Sequence, residues 1–251
     1  MDTNLRNKFL ELWKKHFNGA ELPIVCYYTD AEVGRKPPVP KGHRCLFADV
    51  ASVRKGEDLC FDVDSIGCSG GKRYLGFTRE LKPNFDYFLS TGIPGRMEGE
   101  RYKKSPELVA EFIKNAPSFR APAKFIVFKR WDKLTADDHP EVVIFFAPPD
   151  VLAGLFILAN YDESDANGVI APFAAGCGTV VQYPYLEQSS DRPRCVLGFF
   201  DVSARPFVEK DILSFSAPMQ KFERMIGNMA ESFLTTRSWE VVKKRITGSR
   251  A

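Results

Sequence analysis

The stretch that most restricts this chain is "EVVIFFA", Glu141 to Ala147. Six apolar residues follow one another without a polar partner, and most are β-branched or aromatic. Such a run is too short to span a bilayer, and a strand with one wet face would alternate. It reads as a strand buried on both faces, in the middle of a sheet covered from two sides. "AKFIVFKRW" (Ala123 to Trp131) is a second clear strand. The expected fold class is therefore α+β: a mixed sheet of at least six strands flanked by helices.

The remaining elements follow from local signals. Helices are expected at Asn4 to Phe17, Arg44 to Lys55, Pro148 to Ala159, Ala217 to Thr235 and Ser238 to Ile246. Ser105 offers an N-cap with Pro106 in the first turn, for a helix through Lys114. Asn84 to Ser90 predicts a helical turn, and the glycine-rich Thr91 to Arg101 a mobile segment. Further strands are expected at Leu22 to Tyr28, Glu57 to Val63, Asn167 to Phe173 and Arg194 to Val202. "GRKPPVPKG" (Gly34 to Gly42) is a proline-rich connector, too short for a domain linker.

A single domain over 1–251 is expected. It divides into halves of about 20–120 and 121–215, with a C-terminal helical segment at 217–247. Each half reads strand, helix, strand, Gly-Cys turn, short helix, an order that an ancient duplication would produce and that α/β chains also show without one. A duplication would bring Cys68 and Cys177 toward one shared cleft about a pseudo-two-fold axis.

Thirty-five basic and 32 acidic residues give a net charge of +3, too balanced to imply a nucleic-acid partner. The basic clusters Gly34 to Arg44 and "KKRITGSR" read as a solvated loop and a helix end. The N-terminal segment has no apolar core of a signal peptide, and the longest apolar run is Val151 to Ala159, so no membrane association is expected. These features predict a cytoplasmic location, where six cysteines do not build a disulfide framework. The sequence is compatible with a homo-oligomer.

Two phrases carry the chemistry: "SIGCSGGKRYLGF" (Ser65 to Phe77) and "AAGCGTVVQYP" (Ala174 to Pro184). A thiol at the start of a helix, near N–H donors, is favoured as thiolate. Gly70 and Gly71 allow close approach to the backbone, and Lys72 and Arg73 add positive charge, which suits an anion, a phosphate or a metal. The bland alternative is a tight turn with Cys68 as a small buried side chain. Gly176-Cys177-Gly178 imitates the opening of a dinucleotide fingerprint, with Asp201 in the place of the ribose-binding acid. The third glycine is absent, however, and Pro184 is expected to stop the helix early. Cys45, Cys60, Cys68 and Cys177 are candidate ligands for a metal or an iron–sulfur cluster, although no Cys-x-x-Cys spacing supports it and separate buried thiols are the simpler reading.

Arg205, stiffened by Pro206, is a candidate clamp for a carboxylate or phosphate, or else a structural partner of a nearby acid. His43 is a candidate base beside a thiol, His16 suits a helix C-terminus, and His139 lies in a polar loop. Glu57, Asp62 and Asp64 form either a carboxylate cluster or the wet side of a strand.

"CSGGKRYLGF" (Cys68 to Phe77), "GCGTVVQYP", and "DVSARPF" (Asp201 to Phe207) followed by "FSAPMQKFERMI" resemble the uncharacterised ArCR family, a prokaryotic domain of unknown function. The resemblance runs from about Phe9 to Ile246 and is most specific in the Cys-x-Gly-Gly-x-x-x-Leu-Gly block. It implies a prokaryotic cytosolic protein with no established activity, and supplies no catalytic residues. Relatives with extra cysteines near His43, Arg44 and Cys45 would leave this chain without a cysteine-rich cluster.

Three functions stay open. One is a small-molecule or cofactor-binding protein with a phenylalanine-rich pocket at the Gly-Cys turns, contacted by Cys68, Gly70, Gly71, Cys177, Gly178 and Arg205. Another is an enzyme using a reactive thiolate, or a metal or iron–sulfur centre held by cysteine. The last is a structural or partner-binding protein without ligand chemistry.

Overall fold

The computed structural model describes residues 1–248. The final Ser249 and Arg250 of the "KKRITGSR" cluster lie outside the described residues. A seven-stranded mixed sheet runs in the order β2-β3-β1-β4-β7-β6-β5. Its strands are β1 (Ile24–Thr29), β2 (Leu59–Phe61), β3 (Phe125–Arg130), β4 (Val142–Ala147), β5 (Val169–Ile170), β6 (Cys195–Gly198) and β7 (Leu213–Pro218). All pairings are antiparallel except β5 with β6. The "EVVIFFA" strand is β4, fourth of seven and buried at all six positions.

Because strand side chains alternate, β4 serves two cores. Val143 and Phe145 face one core, closed by α1 (Thr3–His16), α6 (Pro149–Asn160), α8 (Met219–Asn228) and α9 (Arg237–Ile246). Phe145 is ringed there by Trp13 at 5.2 Å and Phe222 at 5.6 Å between centroids. Val142, Ile144 and Phe146 face the other core, closed by α2 (Leu46–Arg54) and by the helical stretch at 176–187, with α3 (Ser69–Tyr74) at its margin. The short α4 (Phe85–Leu89) and α5 (Pro106–Asn115) stand beyond this second layer.

Several expectations are corrected. The 217–235 helix is instead the end of β7, then α8, then a short turn at Phe233–Thr235. "LSFSAP" alternates as a strand does, but its serines are buried rather than wet. The strand expected to Val202 stops at Gly198, because Phe199 takes a positive φ of 70°. The strand expected at 167–173 keeps only Val169–Ile170. Gly92 and Gly99 pack the 91–101 segment into a close turn, with Ile93 bridged to Met97; a Cβ on Gly99 would fall 2.2 Å from the Ser90 carbonyl oxygen.

The repeated element order does not repeat in space. The helix of the first half, α2, covers one face of the sheet, and its counterpart α6 covers the other, whereas both Gly-Cys turns lie on the α2 side. No single two-fold axis relates both pairs, so the duplication finds no support.

The account of the core makes a stability prediction. Phe145→Ala should lose about 3–5 kcal/mol in urea unfolding, whereas Phe156→Ala, on a side chain 46% exposed on α6, should stay within about 0.5 kcal/mol. Similar small losses for both would contradict burial of β4 on two sides.

Candidate functional site

Both Gly-Cys turns abut the start of α2. The Arg44 N–H donates to the Gly67 carbonyl at 3.4 Å, and a Cβ on Gly67 would fall 2.8 Å from Arg44 Cβ. A Cβ on Gly176 would fall 3.0 Å from Phe47 Cε2. These glycines are needed for close packing. Cys45 thus lies between the two turns, at the N-cap of α2. Cys68 is the N-cap of α3, and its sulfur accepts the Gly71 N–H at 3.5 Å.

Beside the turns opens a cleft of about 640 Å³. One wall is α3, through Cys68, Gly70 and Tyr74. A flap made by α4 and the following turn supplies Phe85, Phe88, Met97 and Tyr102. The far rim is Phe173, ahead of the 176–187 helix, and Phe200 after β6. Phe173 is 50% and Phe200 53% exposed. Apolar side chains clustered around a concavity and left this open mark an interaction site more often than a fold requirement.

Asp201 holds these walls together. Its carboxylate accepts the Gly176 N–H at 3.3 Å, the Ser203 N–H at 3.1 Å and the Ser203 hydroxyl at 2.8 Å. The Tyr102 hydroxyl of the flap lies 3.5 Å from Asp201 and accepts the Ser203 N–H at 3.1 Å. Lys103 adds a cation–π contact, its ammonium 4.2 Å from the Phe173 ring centre. Burial, then the charges of Asp201 and Glu100, raise the Tyr102 phenol, so it stays a neutral partner.

The structure sorts the expected site residues. Cys68 and Gly70 line the cleft. Gly71, Cys177 and Gly178 are buried and do not line it. Arg205 is also absent: its guanidinium donates to the carbonyls of Ile212, Glu209 (3.4 Å) and Lys210 (2.5 Å), clasping its own loop. The Gly-x-Gly segment does open a helix between the parallel β5 and β6. Asp201 occupies the Gly176 amide that an anion would need, so the acid is a cap here. Pro184 does not end this helix. It sits in the first turn of α7 (Tyr183–Glu187), after a wide π-helical turn at Gly178–Gln182, where its missing N–H costs least.

The four-cysteine set does not assemble. Leu59 and Phe61 of β2 point into the α2-side core, so Cys60 between them points to the opposite face, beside Tyr27 and Val127. Burial is the main cause raising the Cys45 thiol, and it pushes Cys177 well above the ordinary range, with Cys68, Cys45 and Asp201 adding to it. Both are held as thiols. Among the described residues no three His, Cys, Asp or Glu side chains are placed to hold a metal ion.

His43 lines the cleft, while His139 is exposed. His16 is buried, and burial lowers its pKa, so the expected protonated helix end is not found. Glu57 pairs with Arg35 at 2.7 Å and Asp62 with Lys36 at 3.2 Å, so they form no shared carboxylate cluster with Asp64.

Residues 19–228 match the family model described as uncharacterised ArCR. The chain belongs to the ArCR family. The match leaves all of α1 and all of α9 outside, narrower than the resemblance from Phe9 to Ile246. Neither a curated protein nor a solved structure matches the chain. Among the described residues no helix is long and apolar enough to cross a membrane.

The sequence predicts a phenylalanine-rich pocket but not which rings line it, because they come from distant segments. The available signal was an excess of phenylalanine in the polar, glycine-rich stretch around 85–112.

All six cysteines are free, and their surroundings predict an order of modification. Iodoacetamide should alkylate Cys68 first and Cys45 more slowly. Cys26, Cys60, Cys177 and Cys195, all buried, should react only on unfolding. Peptide mapping over time checks this, and early labelling of Cys177 would contradict its place behind the wall.

Proposed function

We propose that this ArCR-family protein binds a small, largely apolar molecule in the cleft between the flap and α3. The observation that carries the reading is the aromatic lining itself: Phe88, Phe173 and Phe200 stay substantially exposed around one 640 Å³ space whose lining surface is mostly apolar. A cavity of this size suits a drug-sized ligand, and an apolar lining with few polar groups is the usual composition of such sites. Gly70 supports the reading. It is helical, and a Cβ there would meet only ordinary contacts, Cys68 Sγ at 3.6 Å and Tyr74 Cε2 at 3.9 Å. Neither the turn nor the packing requires glycine there, and what glycine preserves is space in the cleft.

A second reading, an enzyme with Cys68 as nucleophile, has one observation in its favour: His43 lines the same cleft and is a candidate base. A Cys68→Ser variant that retains full ligand affinity fits either reading, so turnover is what separates them.

The neutral fluorophore N-phenyl-1-naphthylamine should bind the native protein saturably at one site. Gly70→Leu should abolish that binding while stability holds or rises by up to about 1 kcal/mol, since glycine is a poor helix former. Unchanged affinity in a folded Gly70→Leu protein would refute the cleft as the site.

A further inference from the structure

We propose that the ligand is an amphiphile: an apolar or aromatic body bearing one anionic group, the body among the rings of the cleft and the anion in a smaller cavity next to it. This inference rests on the cleft being a binding site and adds the chemical class of its occupant.

The second cavity, of about 350 Å³, lies against the proline-rich loop, bounded by Pro40, Gly67, Asp64 and Lys72. It shares His43, Ser69 and Lys82 with the cleft. One ligand lying across those three residues would reach both spaces. The chemistry changes across them. The cleft is walled by aromatic rings, whereas the annex presents two ammonium groups, Lys72 and Lys82, against the single carboxylate of Asp64.

The two lysines are also unclaimed. Among the described residues, neither ammonium has an ion pair, a hydrogen bond or a ring beneath it, although Lys72 is half-buried. Arg35 and Lys36 in the proline-rich connector and Arg44 just after it are used: Arg35 holds Glu57, Lys36 holds Asp62, and Arg44 holds Asp49 at 2.6 Å. The acids of the cleft fix the ligand's direction. Glu100 and Asp201 line the cleft and not the annex, and Asp201 is already saturated with donors. An anion is repelled from that end and attracted to the annex, where the charge-assisted contacts are available.

Two probes that share one fluorescent body test this. N-Phenyl-1-naphthylamine is neutral, and 8-anilinonaphthalene-1-sulfonate carries a sulfonate on the same rings. In fluorescence titrations of the full chain the sulfonate should bind about tenfold more tightly, as expected for one or two charge-assisted contacts. In the Lys72→Met, Lys82→Met protein the ratio of the two affinities should fall to near one, and the ratio in the parent should shrink with added salt. Gly70→Leu should remove both probes. If the neutral probe binds, is lost in Gly70→Leu, and the sulfonate is no tighter, the amphiphile inference falls and the cleft stands. If neither probe responds to Gly70→Leu, the cleft itself is wrong.

Discussion

The site side of this molecule depends on one carboxylate. Asp201 joins the flap through Tyr102, the 176–187 helix through the Gly176 amide, and its own loop through Ser203. Three segments far apart in sequence become walls of one cleft because their polar groups converge on this side chain. Its place is set one step earlier. Phe199, with its positive φ, ends β6 and turns the chain outward, so that the buried Phe199 ring packs on Phe47 while Asp201 reaches the helix start. Paired donors make the acid cheap to keep half-buried, and losing it would leave the Gly176 N–H without its acceptor. The same pairing closes the helix start to other anions and leaves the unclaimed lysines of the annex as the place where negative charge fits.

The fold rests on a simpler constraint. A central strand with no polar face needs a layer on both sides. On one side α1, α6, α8 and α9 complete the layer; on the other α2 and the 176–187 helix cover the sheet, and the flap stands outside them. The cleft lies where this second layer meets the flap, so its aromatic residues can stay exposed without weakening the core.

Much of this was legible in the chain. β4 followed from six consecutive apolar residues, and α5 from Ser105, whose side chain accepts the Leu108 N–H. Of the two Gly-Cys phrases, the first supplies a wall of the cleft through Cys68 and Gly70, while Cys177 and Gly178 lie buried behind it. What sequence could not supply was the side of each wall on which a residue falls. Gly67 and Gly70 look alike in the text, yet one is needed because Arg44 and Pro40 press on it and the other meets only ordinary contacts at the edge of the cleft. Cys60 was grouped with Cys68 although strand alternation already sends it to the opposite face from Leu59 and Phe61. β7 was missed because its buried serines look like a wet face. Arg205 reads locally as a clamp or as the partner of an acid, and nothing local shows that three carbonyls of its own loop claim it instead.

The central claim is that the exposed aromatic residues form one receptive cleft. The structure offers a competing apolar surface, Phe156, Ile157 and Tyr161 on and just after α6, each more than 40% exposed. Intermolecular NOEs between N-phenyl-1-naphthylamine and the isotope-labelled protein decide between them. The account predicts contacts to the rings of Phe88, Tyr102, Phe173 and Phe200, from the flap and the far rim together. Contacts confined to Phe156, Ile157 and Tyr161 would contradict it.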